Sequence, residues 1–123
     1  MSNDVLPWLI GGALFVHGVG HLLGFWMPVR CWLLPGANEK MLRRMSSVFW
    51  VLSMVGFIGA SLSYLGILLP EAWWSTVALV SACISLLGLL LFFGNWPAFN
   101  TIAALAMNVV VLVAVIAVKV QDG

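Results

Sequence analysis

Residues 72–118 read AWWSTVALVSACISLLGLLLFFGNWPAFNTIAALAMNVVVLVAVIAV, and none of the 47 is charged. A helix needs roughly 20 apolar residues to cross a hydrocarbon core. This stretch therefore holds two crossings. The break between them is visible as Gly94-Asn95-Trp96-Pro97. Gly and Asn favour a turn, and Pro is suited to the first position of a new helix. A third helix is expected over 73–93 and a fourth over 97–118. No part of the stretch alternates polar with apolar residues as a membrane barrel strand does.

The same reading extends toward the N-terminus. Glu71 is the only charge between the long stretch and a second uncharged run, 45–70. A helix over 39–68 fits that run. Asn38 is a suitable N-cap, and Glu39, Lys40, Arg43 and Arg44 form a solvated helix start. A third uncharged run, 5–29, gives a first helix over 5–27. Pro7 is tolerated in its first turn, and Pro28 stops it.

In all, 7% of the 123 residues are charged and 63% are hydrophobic. A soluble domain carries about 25% charged residues, so this chain cannot clothe a water-facing surface. A soluble enzyme is excluded. The expected fold is all-α, one domain over 1–123, an up-down integral-membrane four-helix bundle with short connectors. Met1-Ser2-Asn3-Asp4 lacks the basic residues of a signal peptide, so the first run reads as a mature helix. The net charge of +1 offers no phosphate-binding stripe, which argues against a nucleic-acid partner.

Basic residues near helix ends set orientation. Arg30, Lys40, Arg43 and Arg44 lie between the first two helices, and only Lys119 lies at the opposite end. Residues 28–44 are therefore expected in the cytoplasm and both termini outside. Trp8, Trp26, Trp32, Trp73, Trp74 and Trp96 fall near helix ends as interfacial anchors do. Trp50 lies deeper. Cys31 falls in a loop and Cys83 mid-helix, so no disulfide between them is expected.

Ionisable groups at membrane depth are functional candidates by default. Here they are His17 and His21, four apart and so on one helix face. Gly20 and Gly24 fall on the same side and form a small-xxx-small pair. Gly56 and Ala60 do the same on the second helix. Counting from span centres places His17, Ser85 and Asn108 near the midplane, with His21, Ser53 and Thr101 on the side of the basic loop. Unsatisfied polar groups are costly in hydrocarbon, so these should find one another.

Three functions compete for that layer. In the first, the polar groups only fix helix register, in a scaffold or accessory membrane subunit with no cofactor and no catalytic residue. In the second, His17 and His21 ligate a metal or haem in a redox subunit, since paired imidazoles at i, i+4 can share one ion. No third ligand lies near them, and a bis-His haem needs a second subunit. In the third, the pair relays protons or lines a solute path, although no carboxylate lies in the bilayer to couple it. The expected partners are lipid and a second copy or larger membrane complex.

The run His17-Gly18-Val19-Gly20-His21-Leu22-Leu23-Gly24-Phe25 resembles the HGxxHLxGF first-helix motif of a group of small prokaryotic four-helix membrane proteins. Trp50, Trp73-Trp74, Trp96 and the segment from Thr101 to Asn108 match the rest of that pattern. Ser85-Leu86-Leu87-Gly88 matches it loosely, with Gly at the final position. The arrangement is similar, more weakly, to DoxX-like four-helix proteins. The resemblance implies the same fold and a prokaryotic plasma membrane. It implies no activity and no ligand for the histidines.

Overall fold

The first helix begins as α and ends in a tighter form. In the computed structural model, which describes residues 5–122, α1 spans Val5–Gly20 and passes into a 3₁₀ segment, His21–Phe25. The expectation made on Met1 to Asp4 lies outside these residues. Helix α2 spans Glu39–Tyr64, a 3₁₀ turn covers Glu71–Trp73, α3 spans Trp74–Leu91 and α4 spans Ala98–Asp122. No strand occurs among the described residues. All four helices are long and apolar enough to cross a membrane.

Local chemistry explains the boundaries. Asn38 caps α2 through its side chain, which accepts from the Lys40 backbone N–H at 2.7 Å. The second helix stops four residues short of the expected Leu68. Gly66 adopts φ +68°, and Ile67 N–H donates to Leu62 O at 2.8 Å while Gly66 N–H donates to Ser63 O at 3.0 Å. This is a Schellman stop, which glycine makes without a Cβ penalty. Apolar character continues through Ile67 and Leu68 after the helix has ended. The third helix stops two residues before the expected Phe93, near Gly94 at φ +90°. The fourth continues past Val118 to Asp122.

Cross-links between helix ends establish the up-down topology. Arg43 Nη1 donates to Phe25 O at 3.4 Å, tying the start of α2 to the end of the first helix. Ser61 Oγ donates to Gly11 O at 2.6 Å at the other end. Lys119 Nζ donates to Thr76 Oγ1 at 3.1 Å, joining the end of α4 to the start of α3. The connector after the first helix folds back under the bundle: Arg30 N–H donates to Asn95 Oδ1 at 3.1 Å and Trp32 Nε1 to Leu90 O at 2.7 Å. Cys31 and Cys83 are both free thiols.

Packing runs in chain order. Helix α1 lies on α2, α2 on α3 and α3 on α4, while α1 and α4 do not pack closely on each other. Small residues make the tight approaches. A Cβ on Gly18 would sit 3.1 Å from Met54 O and 3.2 Å from Ile58 N, so two backbones meet there. A Cβ on Gly56 would collide with Ser81, and one on Gly24 with the Trp50 ring. Ala60 is fully buried. Gly20 differs from expectation: nothing lies within 4 Å of where its Cβ would be. It belongs to the open side of α1. At 3.6 residues per turn Gly20 falls opposite the buried Gly11, Leu14 and Gly18 of α1. In the 3₁₀ segment side chains three apart eclipse, so Gly24 follows His21 onto the packed face.

Two apolar clusters result. One, toward the basic loop, contains Leu42, Trp50, Leu89, Phe92, Trp96 and Ala104. The other, toward the opposite end, contains Leu14, Phe57, Ala60, Ala82, Val111 and Val115. Along every helix a polar residue falls between the two.

Candidate functional site

That intervening level is where the four polar candidates of the sequence meet. Asn108 and Ser85 are fully buried and His21 is 1% exposed. His17 is half-buried. His17 Nε2 lies 2.8 Å from Asn108 Oδ1, Asn108 Nδ2 lies 2.9 Å from Ser85 Oγ, and Ser85 Oγ lies 2.6 Å from His21 Nε2. His21 Nδ1 lies 2.8 Å from the carbonyl oxygen of His17. The chain of contacts closes on itself.

Its proton pattern is determined by one group. A carbonyl oxygen only accepts, so His21 Nδ1 carries the hydrogen. In a neutral ring Nε2 is then the acceptor, and Ser85 O–H donates to it. With its own proton committed, Ser85 Oγ must accept from Asn108, which turns its NH₂ toward Ser85 and its Oδ1 toward His17. His17 therefore donates from Nε2. Every bond points the same way around the ring, an arrangement in which each bond polarises the next. One polar atom is left over. His17 Nδ1 keeps its lone pair and has no hydrogen-bond partner among the described residues.

Aromatic rings wall this network. The His17 and His21 rings lie 5.0 Å apart at 66°. Phe57 stacks on His21 at 5.8 Å and 23°, and meets His17 edge-on at 4.4 Å. Trp50 and Trp96 approach His21 at 6.1 and 5.7 Å. Trp96 is thus buried over a histidine, not anchored at an interface as its position near a helix end suggested. Phe57, Trp50 and Trp96 were not legible as site residues from sequence. The available signal was register: Trp50 and Phe57 are seven apart on α2, two turns on the same face.

Ser53 and Thr101 stay outside the ring. Thr101 Oγ1 turns back to its own helix at Pro97 O, 3.2 Å. Ser53 Oγ is buried without a hydrogen-bond partner. A groove of about 410 Å³ opens between α1 and α4, with His17, His21, Gly20, Ala103, Ala104 and Trp96 on its walls.

The arrangement bears on metal chemistry through its nitrogens. Both nitrogens of His21 are hydrogen-bonded, and one of His17 is. The pair offers a single free ring nitrogen while the ring of bonds is intact. No cluster of three or more His, Cys, Asp or Glu occurs among the described residues. No family model matches the chain, and neither curated proteins nor solved structures yield a match.

Proposed function

We infer that this chain is an integral membrane protein with a scaffold or accessory role, and that its midplane histidines hold the bundle in register. The closed ring of hydrogen bonds carries this reading, because it uses its groups on one another and leaves one nitrogen free. Side-chain exposure supports insertion in a bilayer. Val16, Phe99, Ile102 and Val113 face outward at 63–81% exposure, while Ser85 and Asn108 are at 0%. Apolar surface so extensive is not tolerated by soluble monomers. The basic loop 28–44 belongs on the cytoplasmic side with both termini outside, by the positive-inside rule. The assignment to a prokaryotic plasma membrane and to the group with the HGxxHLxGF motif is part of this proposal and is supported by the motif alone. Lipid is the first partner, a second copy or a larger membrane complex the next, and nucleic acid is not among them.

The second reading is a His-ligated metal or haem in a membrane redox subunit. Its support is the unpaired His17 Nδ1 on a residue that lines the α1–α4 groove, where a second copy could supply another ligand. A proton or solute path is the third reading and has no further observation behind it.

Reconstitution separates the three. His17→Phe and His21→Phe should each lower the unfolding midpoint in mild detergent. Wild-type proteoliposomes should show no proton or solute flux above empty vesicles. The purified protein should show no Soret band and no stoichiometric metal. A histidine-dependent flux in a folded variant, or a bound metal lost with His17, would overturn the scaffold reading.

A further inference from the structure

A second concave site lies at the end of the bundle opposite the basic loop. It is a cleft of about 650 Å³ bounded by Trp8, Tyr64, Trp74, Glu71, Pro7 and Leu65. The turn after α2 builds it. Tyr64 is the last residue of α2 and Trp74 the first of α3. The Schellman stop at Gly66 folds the chain back so tightly that these two rings meet edge-on, 5.1 Å apart at 83°. Both rings line the cleft, and Trp8 of α1 is the third aromatic residue on it. Gly66 also makes room for the acid: a Cβ there would lie 2.7 Å from Glu71 Oε1.

Glu71 supplies the formal charge of the cleft. Glu71 has no ion-pair partner among the described residues. Lys119, the one basic side chain at this end, is engaged with Thr76. An unneutralised carboxylate beside three aromatic rings attracts a cation that can shed its water. A calcium ion needs six to eight oxygen ligands, and this cleft offers a carboxylate and indole and phenol faces. Aromatic faces instead favour ammonium groups, quaternary ones above all. Ordinary interfacial anchors do not converge in this way. Trp26, Trp32 and Trp73 are exposed singly and line no part of the cleft.

We propose that the cleft formed by Trp8, Tyr64, Trp74 and Glu71 is a binding site for an organic ammonium ion. The ammonium can be a free solute such as choline or the headgroup of a zwitterionic phospholipid. Both present the same cation to the same walls. The site is independent of the histidine network, which lies at the middle of the bundle.

The test uses the full chain in two settings. In detergent, binding of choline is measured by saturation-transfer NMR on its methyl protons, at constant ionic strength set with sodium chloride. A saturable signal, displaced by tetramethylammonium and not by sodium, identifies a free-solute site. In the second setting, native mass spectrometry compares retention of phosphatidylcholine with retention of phosphatidylglycerol. Preferential retention of phosphatidylcholine without choline binding identifies a headgroup site. In either case Glu71→Gln and Trp74→Leu should each weaken binding by roughly twofold to fivefold. Glu71 is exposed, so Glu71→Gln should leave the unfolding midpoint unchanged. Trp8→Leu on the exposed wall guards against a Trp74 variant that fails to fold. Absence of both kinds of binding, or binding indifferent to Glu71→Gln and Trp8→Leu, overturns the proposal.

Discussion

Helix α1 is held on its two sides by opposite means. Toward α2, Gly18 lets backbone meet backbone, and Gly24 seats the Trp50 ring. Toward α4 the helices stand apart, and the hydrogen bond from His17 to Asn108 crosses the gap. The first interface spreads its energy over many contacts of about 0.1–0.2 kcal/mol each. The second concentrates it in a few polar atoms with strict geometry. In an apolar medium, close packing of small residues and interhelical hydrogen bonds are both available to hold helices together. Here cohesion comes from the glycine face, and the polar ring fixes how far α4 can move from α1.

The contrast is broken most directly by Gly18→Leu. The neighbours of its Cβ site include a backbone oxygen and a backbone nitrogen, which cannot rotate away. Overpacking of this kind costs about 1–3 kcal/mol, and the upper end is expected here because α2 must shift as a unit. Unfolding by denaturant in mild detergent would measure it. An unchanged midpoint would mean that α1 and α2 are not held by close approach.

Asn108→Leu probes the other side and should cost less, about 1 kcal/mol. It removes two hydrogen bonds, each worth about 0.6 kcal/mol on membrane averages. A double-mutant cycle with His17→Phe should return a coupling of about that size. Strict additivity would show that the two side chains do not interact.

The ring was legible in the sequence to an unusual degree, and for a simple reason. In a long apolar run each polar residue stands out, and a rise of 1.5 Å per residue converts position into depth. Counting of this kind puts His17, Ser85 and Asn108 at one level, where they meet. Depth counting cannot supply azimuth, however. Ser53 lies near that level but outside the ring and without a partner, and Thr101, two turns from Asn108, bonds the Pro97 carbonyl. The aromatic walls were hidden for a different reason. In an apolar run, Phe57 looks like every other packing residue, and Trp96 in a connector looks like an anchor. The early end of α2 was written in Gly66 and Pro70, but continuing apolar residues masked it.

Gly20→Leu gives the smallest expected effect. The Cβ would point into open space, so a change within about 0.5 kcal/mol is expected, as for substitutions away from packed features. Its value lies in what it isolates. Continuous α-helical register would place Gly24 beside Gly20, away from the buried Gly11, Leu14 and Gly18, and substitution at either should then be cheap. The 3₁₀ segment from His21 to Phe25 separates them, leaving Gly24 against Trp50 and Gly20 in the groove. Gly24→Leu measured beside Gly20→Leu therefore reads the change of helical phase directly. Equal penalties would mean that the first helix stays α-helical through Gly24. The hydrogen bonds of His21 would then need a different geometry, since its ring reaches Ser85 from the first residue of the tighter turn.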